Sequence, residues 1–213
     1  MLRILICDDH PLFRRGVKDL IADAFAPIEV GEAESSQEAL ILAKERKWDI
    51  AVVDIMMPGR SGPELVEELK QLRPSLPILV MSTCAEEHYA VRMFRAGVSG
   101  YLNKARAAHE LIEAIKKILT GHKYVSAPVG ERFACQIGGD NDTLPHEKLS
   151  DREHQVLCLL ASGKGLKEIA DELCVSANTV STYRSRILDK MNLKNNAELT
   201  HYAIRHSLVN YEP

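Results

Sequence analysis

The sequence has no apolar run that approaches the roughly 18 residues of a membrane-spanning helix, so we expect no membrane segment. A secretion signal is not expected either, because the short apolar stretch 4–7 runs directly into Asp8 and Asp9. Glycine and proline are sparse, with 12 and 9 among 213 residues, while 46% of the residues are apolar. This composition excludes a disordered or collagen-like chain and is sufficient for one or two domains with a buried core.

Basic residues are not in excess, since the formal net charge is −3. A protein that coats nucleic acid over its whole surface is therefore not expected, whereas a local basic patch is compatible with this balance. The five cysteines are odd in number and no two form a C-x-x-C pair. They predict neither a disulfide framework nor a structural zinc site, and we interpret them as reduced residues of a cytoplasmic protein.

The first 120 residues alternate short apolar strands with helical patterns. Two of the strands, 50–54 and 78–82, are apolar on both faces, as in parallel strands that helices cover on both sides. Between the strands, apolar residues recur at helical spacing, and Ser35 to Glu38 resemble a capping box. This alternation predicts a five-stranded, doubly wound parallel sheet of the flavodoxin-like type, with strand order 2-1-3-4-5. The predicted strands are 2–7, 28–31, 50–54, 78–82 and 100–102.

The alternation stops after Gly121. The polar, turn-rich run 138–142 and the following Pro145 predict a linker, with a short helix near 129–135. From Leu149 onward the patterns are helical only. We therefore predict an α/β domain at 1–121, a linker at 122–147 and an all-α domain at 148–213.

Three carboxylates follow strands that the predicted sheet places side by side. Asp8 and Asp9 follow the first strand, and Asp54 ends the third. In the predicted order these two strands are neighbours at the point where a doubly wound sheet binds ligands. Like charges about 4 Å apart repel by about 4 kcal/mol at an effective dielectric constant near 20, so we expect a cation among them. A set of oxygen donors favours Mg²⁺, which binds to a few carboxylates and keeps several waters.

Two further groups belong to the same edge of the sheet, because Ser82 ends the fourth strand and Lys104 follows the fifth. A metal, a lysine, a hydroxyl and a carboxylate nucleophile together predict a site that accepts a phosphoryl group as an aspartyl phosphate. Simpler interpretations stay open, since an Asp-Asp pair often only caps a helix and a lysine at a strand end is often only solvated. His10 is not expected to be a ligand, because no second His or Cys stands at metal-ligand spacing.

The motifs of this half resemble the receiver domain of bacterial two-component response regulators over about residues 1–120. They are Asp8-Asp9, Asp54 with Met57-Pro58-Gly59, Ser82, and Gly100-Tyr101-Leu102 followed by Lys104.

The resemblance implies a role for each residue of the acidic edge. Asp54 is the phosphoacceptor in this interpretation, and Ser82 and Lys104 contact the phosphoryl oxygens. Tyr101 turns inward when Ser82 moves. Ala105 stands where many receivers have a cis proline, which we expect to loosen the loop after Lys104. The implied Mg²⁺ site consists of Asp9, Asp54 and the backbone carbonyl of Met56, with Asp8 orienting a metal-bound water.

The helical half contains a short helix at 167–170, a turn at Val175-Ser176 and a longer helix that opens near Thr179. Two helices joined by a tight turn predict a helix-turn-helix, whose second helix enters the major groove of DNA. Between 176 and 194, four basic residues stand against one acidic residue, which is a local excess of three positive charges. This excess fits a phosphate-binding surface, although a solvated helix face is the simpler alternative.

This half also resembles a known family, the LuxR-type (NarL/FixJ) DNA-binding domain, over about residues 148–208. The motifs are Leu149-Ser150-x-Arg152-Glu153, Lys167-Glu168-Ile169-Ala170, Ser176-x-x-Thr179-Val180 with Arg184, and Lys190-Met191. Tyr183 stands where the family often has histidine, and the last helix is either core or the family's dimer face. The resemblance implies that base edges are contacted by Ser181, Thr182 and Ser185, and the DNA backbone by Lys167, Arg184 and Lys190.

The two resemblances together predict a transcription factor and not an enzyme. A sensor histidine kinase or a phosphorelay donor is expected to supply the phosphoryl group, and promoter DNA is expected to bind a homodimer. RNA polymerase is a further candidate partner. Two other classes stay open. One is a Mg²⁺-dependent phosphoesterase with an accessory helical domain, suggested by the run Cys7-Asp8-Asp9-His10; the other is an adaptor that binds protein instead of DNA.

Overall fold

The computed structural model describes residues 1–57, 61–82, 86–126, 129–131, 144–206 and 208–209. The chain divides into two compact units, Met1–Phe133 and Ala134–Pro213. Residues 129–131 are helical, as predicted, and the remainder of the predicted short helix lies outside the described residues. The motif residues Pro58 and Gly59 and the polar run 138–142 also lie outside them. In the described part of the chain, no helix combines the length and apolar character needed to cross a bilayer.

The first unit is the doubly wound sheet that the alternating pattern predicts. Five parallel strands lie in the order β2-β1-β3-β4-β5. The strands are β1 (Leu2–Cys7), β2 (Ile28–Ala33), β3 (Ile50–Asp54), β4 (Ile78–Ser82) and β5 (Gly100–Asn103). The helices between and after them are α1 (Pro11–Phe25), α2 (Ser36–Glu45), α3 (Gly62–Leu72), α4 (Glu86–Arg95) and α5 (Ala107–Leu119).

Each face of the sheet has its own core, because successive residues of a strand point to opposite faces. On one face, Val17 of α1 and Leu111 of α5 belong to one apolar cluster. On the other face, α2, α3 and α4 contribute Ala43, Leu69 and Met93 to a second cluster. All residues of β3 and β4 are buried, which agrees with their uninterrupted apolar sequence. This packing holds the carboxyl ends of the central strands in a fixed arrangement.

The second unit is helical. Its helices are α6 (Asp151–Ala161), α7 (Leu166–Glu172), α8 (Ala177–Met191) and α9 (Asn196–Arg205), preceded by a 3₁₀ turn at Pro145–Lys148. The capping box that opens α6 is present, since the Glu153 carboxylate accepts a hydrogen bond from the Ser150 amide at 2.7 Å. Ser176 is the N-cap residue of α8, and its side-chain hydroxyl oxygen accepts a hydrogen bond from the Thr179 amide at 3.1 Å. Helices α7 and α8 with the turn between them form the predicted helix-turn-helix.

Candidate functional site

Strand order brings the three predicted carboxylates together. β1 and β3 pair in parallel with Cys7 opposite Val53, so Asp8 and Asp54 leave the sheet side by side. Both are buried, with 3% and 2% of their surface exposed, and Asp9 is half-buried. Two carboxylates in this setting are stable only beside a compensating positive charge.

Lys104 supplies that positive charge. Its Nζ lies 2.6 Å from Asp54 Oδ2 and 2.7 Å from Asp8 Oδ2, and it also stands 4.5 Å from the centre of the Phe13 ring. Burial disfavours the ammonium form, but the attraction of Asp54 and Asp8 is stronger and raises the pKa of Lys104. The lysine is therefore a fixed cation at the edge where a phosphoryl group would carry negative charge.

Asp54 is held by its backbone neighbour as well as by Lys104. The Met56 amide donates to Asp54 Oδ1 at 2.9 Å. Burial raises the pKa of the Asp54 carboxyl above its usual value, the attraction of Lys104 opposes this, and the charge of Asp8 adds to the effect of burial. A carboxylate that is both desolvated and fixed in orientation has the properties of a positioned nucleophile.

The donor set fits a small divalent cation. Asp8, Asp9 and Asp54 each direct a carboxylate oxygen to a common region, where these oxygens and a nitrogen of His10 lie within 4.8 Å of one another. Three carboxylates beside one lysine leave a formal charge of −2 when His10 is neutral, which matches a divalent ion. Oxygen-rich sites with few carboxylates are typical of Mg²⁺. Met56, which we predicted to add its carbonyl, lies two residues beyond Asp54 at the same edge.

Ser82 and Tyr101 lie where the sequence analysis placed them along the sheet. Met81 pairs with Asp54, so Ser82 lies one residue beyond the level of Asp54 on the neighbouring strand, and it is fully buried. Tyr101 is 1% exposed and belongs to the core cluster that contains α4. The loop after Lys104 is a 3₁₀ turn in which Asn103 Oδ1 accepts from the Ala105 amide at 2.9 Å.

The sequence analysis missed two side chains of this edge. Arg14 is 8% exposed and donates through Nη1 to the backbone carbonyl of Asp8 at 2.7 Å. Its other nitrogens lie 3.2 Å from Glu32 Oε2 and 2.5 Å from Glu34 Oε1. Its position three residues before Val17, on the buried side of α1, was the available signal. The second is His10, which the sequence analysis named but did not expect to be a ligand; its Nδ1 lies 2.9 Å from Asp9 Oδ1.

The second unit presents most of the predicted DNA-contacting residues on its surface. Ser181, Thr182 and Ser185 are exposed on α8, and Lys167 is exposed on α7. Thr182 Oγ1 donates to the Asn178 carbonyl one turn earlier at 2.9 Å. The hydroxyl groups occupy adjacent positions on one face of α8, as a base-reading surface requires.

The two predicted phosphate-binding residues of α8 have partners within the domain. Arg184 Nε donates to Asn196 Oδ1 at 2.5 Å, which orients its guanidinium group. Lys190 Nζ lies 2.6 Å from the Glu153 carboxylate, which is 2% exposed. Burial raises the pKa of Glu153, but the hydrogen bonds from Lys190 and Ser150 are stronger and lower it below its usual value. Lys190 therefore joins α8 to the beginning of α6.

Both units match known families. Residues 4–116 match the model of the response regulator receiver domain, and residues 147–203 match that of the bacterial regulatory proteins of the luxR family. The response regulator GacA of Pseudomonas protegens is 34% identical over 209 residues, which cover 98% of each chain. The response regulator UvrY of Escherichia coli is 32% identical over 213 residues, which cover 100% of this chain and 98% of UvrY.

Solved structures are similar over both units. RcsB of Salmonella typhimurium covers 96% of this chain and 98% of its own, with a TM-score of 0.57 and 27% identity. RcsB from Salmonella enterica serovar Typhimurium, bound to promoter DNA in the presence of the phosphomimetic BeF3-, covers 94% and 97%, with a TM-score of 0.59 and 25% identity. The similarity therefore extends over both units in the order in which they occur.

Proposed function

Because the chain belongs to the bacterial two-component response regulators of the NarL/FixJ type, we propose that a phosphoryl group on Asp54 controls its binding to promoter DNA. The observation that carries this proposal is the position of Lys104, whose ammonium group bridges Asp54 and Asp8 at the carboxyl edge of the sheet. Response regulators act as transcription factors and not as enzymes, and the phosphoesterase alternative has no support in the matched families.

Asp54 is the nucleophile in the proposed transfer. One of its oxygens attacks the phosphorus atom of a phosphohistidine on the kinase, a P–O bond forms, and the P–N bond to the imidazole breaks. Lys104 stabilises the negative charge on the transferring group, and positioning supplies most of the remaining acceleration. Asp8, Asp9, Asp54 and the Met56 carbonyl would hold Mg²⁺, which neutralises phosphoryl oxygens when bound.

Ser82 and Tyr101 transmit the change in this proposal. Phosphorylation replaces the single charge of the Asp54 carboxylate by a phosphoryl group that carries up to two negative charges, and movement of the fully buried Ser82 hydroxyl toward that group changes the space available to the Tyr101 ring. Tyr101 is buried in the present structure. We propose that Ser82 and Tyr101 form the two-state element that the phosphoryl group biases.

The helix-turn-helix is the output element. We place α8 in the major groove, with Ser181, Thr182 and Ser185 at base edges. Lys167 and Arg184 are exposed or partly exposed and long enough to reach phosphates. Lys190 is included as a phosphate contact, and its pairing with Glu153 makes this the contact most in need of a test.

The assembly and partners follow from this output. A homodimer on DNA is supported by RcsB, for which dimers bound to DNA are known, and RNA polymerase is a further candidate partner. The donor is a sensor histidine kinase or a phosphorelay protein, and binding of chromosomal DNA implies a cytoplasmic location. We assign the receiver to 1–121, the linker to 122–147 and the DNA-binding domain to 148–213.

Phosphorylation by acetyl phosphate tests the assignment of Asp54. With Mg²⁺ present, the wild-type chain should gain one phosphoryl group that is stable in acid and labile in base, as seen by intact mass. Asp54→Asn should gain none, because an amide cannot form the acyl phosphate. Asp19→Asn is the matched control, since Asp19 is exposed on α1 and pairs with the exposed Arg15 at 3.9 Å. Full labelling of Asp54→Asn, or loss of labelling in the control, would reject the assignment.

A metal test completes the experiment. Three converging carboxylates should bind Mg²⁺ weakly, so labelling should stop in excess EDTA and resume when Mg²⁺ is restored. Undiminished labelling after complete chelation would reject the proposed metal site.

A further inference from the structure

His10 directs a nitrogen into the acidic pocket. Its Nδ1 lies 2.9 Å from Asp9 Oδ1 and 3.4 Å from Asp8 Oδ1, and its backbone amide donates to Asp8 Oδ1 at 2.9 Å. The imidazole has 68% of its surface exposed, so it stands on the solvent side of the carboxylates. His10 occupies the N-cap position of α1, yet its side chain makes no capping hydrogen bond. The ring is therefore not required to begin the helix.

The spacing of these atoms fits a shared metal ion. Two ligand atoms about 2.1 Å from one ion lie about 3.0 Å apart when they subtend a right angle and about 3.4 Å apart at the tetrahedral angle. The two distances from Nδ1 to the carboxylate oxygens fall at these values. Asp54 contributes an oxygen to the same group of atoms, within 4.8 Å of the others. One ion could therefore contact carboxylate oxygens and the imidazole nitrogen together.

The nitrogen changes which cation the pocket prefers. Mg²⁺ selects oxygen ligands and keeps its waters, so an added imidazole contributes little to its binding. Co²⁺, Ni²⁺ and Zn²⁺ bind imidazole readily and exceed Mn²⁺ in affinity for mixed nitrogen and oxygen sites. We propose that His10 is a ligand for borderline divalent cations in the receiver pocket, so that the pocket binds Co²⁺ more tightly than Mg²⁺. This inference rests on the proposed metal site and adds a residue outside its carboxylate set.

Binding of metal to the full-length chain measures the effect of His10 directly. Dissociation constants for Co²⁺ and for Mg²⁺ are obtained by isothermal titration at about pH 8, where an ordinary imidazole is neutral. The variants are His10→Ala and His10→Asn; asparagine keeps a good N-cap residue and so protects against a folding defect. His122→Ala is the matched control, because His122 is exposed beyond α5 and contacts Thr120. Competition of Mg²⁺ against bound Co²⁺ separates the pocket from surface histidines.

The expected result is a loss of Co²⁺ affinity of roughly 10- to 100-fold in both His10 variants, the range already known for groups that only orient a metal ligand. Mg²⁺ affinity should stay within about twofold, and His122→Ala should match the wild type in both titrations. The d–d absorption of the Co²⁺ complex should also change when the nitrogen ligand is lost.

Two results overturn the inference while leaving the Mg²⁺ site intact. Equal Co²⁺ affinity in the wild type and both His10 variants would show that the imidazole is not a ligand. Tighter binding of both cations by His10→Ala would show that His10 acts only as a competing positive charge. If the wild type binds neither cation, or Asp9→Asn binds both as well as the wild type, the proposed metal site fails and this inference with it.

Discussion

Replacement of Lys190 by alanine should destabilise the DNA-binding domain, because it leaves the Glu153 carboxylate without its ammonium partner. Glu153 is 2% exposed and Lys190 Nζ lies 2.6 Å from its Oε2. The Ser150 amide still donates to the Glu153 carboxylate at 2.7 Å, so the carboxylate keeps a hydrogen bond after the lysine is removed. The perturbation therefore removes the ammonium partner of a buried charge and leaves its hydrogen bonds from Ser150 in place.

The size of the effect lies between two limits. Breaking a fully buried ion pair costs about 3–5 kcal/mol, whereas an exposed pair is worth about 0–1 kcal/mol. Here the acid is buried and the lysine side chain is 43% exposed, so solvent screens part of the interaction. We expect Lys190→Ala to lower the free energy of unfolding by about 1–2 kcal/mol. With an m-value near 1 kcal/mol per molar for so small a domain, the urea midpoint should fall by about 1–2 M.

The single tryptophan provides an internal control for this measurement. Trp48 is buried in the receiver, so its fluorescence follows the unfolding of that unit. Far-ultraviolet circular dichroism, which reports helix content, follows the unfolding of both units. Lys190→Ala should shift the helical transition and leave the tryptophan transition unchanged. Lys194→Ala, an exposed lysine close in sequence, should shift neither by more than about 0.5 kcal/mol.

DNA binding by the same variant separates the two roles of Lys190. If the lysine also contacts a phosphate, the slope of log affinity against log salt concentration should decrease by about 1. If its amine stays with Glu153 on DNA, the slope should be unchanged. A loss of unfolding free energy below about 0.5 kcal/mol would refute the argument from burial, whatever the slope.

Four further results are expected. Burial raises the pKa of Glu153, but hydrogen bonds from Lys190 and Ser150 lower it below its ordinary value of 4.5, so the Glu153 carboxylate takes up a proton more readily in the unfolded chain than in the folded one. The stabilisation by this carboxylate is therefore present above pH 4.5 and is lost as the pH falls through the lower pKa of the folded state. Glu153→Gln should remove this loss from acid unfolding curves. Lys104→Ala should still be labelled by acetyl phosphate, but its DNA affinity in mobility-shift assays should no longer respond to labelling, because the fixed cation that reads the phosphoryl group is gone. Thr182→Ala should lose about 1–3 kcal/mol only at sites with the preferred base, and an equal loss on random DNA would show that it is not a base reader. The fragment 148–213 should bind DNA without phosphorylation. If the receiver masks this domain with a coupling free energy of about 1–3 kcal/mol, phosphorylation of the full chain should raise its affinity for DNA roughly 5- to 150-fold. Equal DNA affinity before and after phosphorylation would exclude masking.

Strand pattern predicted most of the receiver fold because burial on both faces leaves an unambiguous signal. The bounds of β1, β3 and β4 agree with the predicted ones. β2 continues to Ala33 instead of ending at Gly31, and it is an edge strand in which Glu29 is partly exposed and Glu32 is exposed. In an edge strand the alternation of apolar and polar residues is weaker because one side of the strand faces solvent, so the end of the strand is harder to locate from the sequence.

The sequence predicted those residues of the candidate site whose positions follow from strand order. It did not predict the contacts that a side chain of one helix makes with a different helix or strand. Asp8, Asp54 and Lys104 meet because parallel strands end at one edge. The contact of Arg14 with a backbone carbonyl of the same edge depends on a side-chain direction that residue spacing does not specify. Lys190 was assigned to the DNA backbone from the family resemblance, and its partner Glu153 lies 37 residues earlier in the chain.

The position of Arg14 has a consequence for the engineering of chimaeric receivers. This one side chain joins helix α1 to the carbonyl of Asp8 and to two glutamates at the end of β2, Glu32 and Glu34. A designer who exchanges α1 for the helix of another regulator, while keeping this β2, also removes the side chain that holds the carbonyl of Asp8 in place. The helix and the end of β2 therefore form one transplantable module, and a graft that divides them would alter the acidic edge without changing its three aspartates or Lys104.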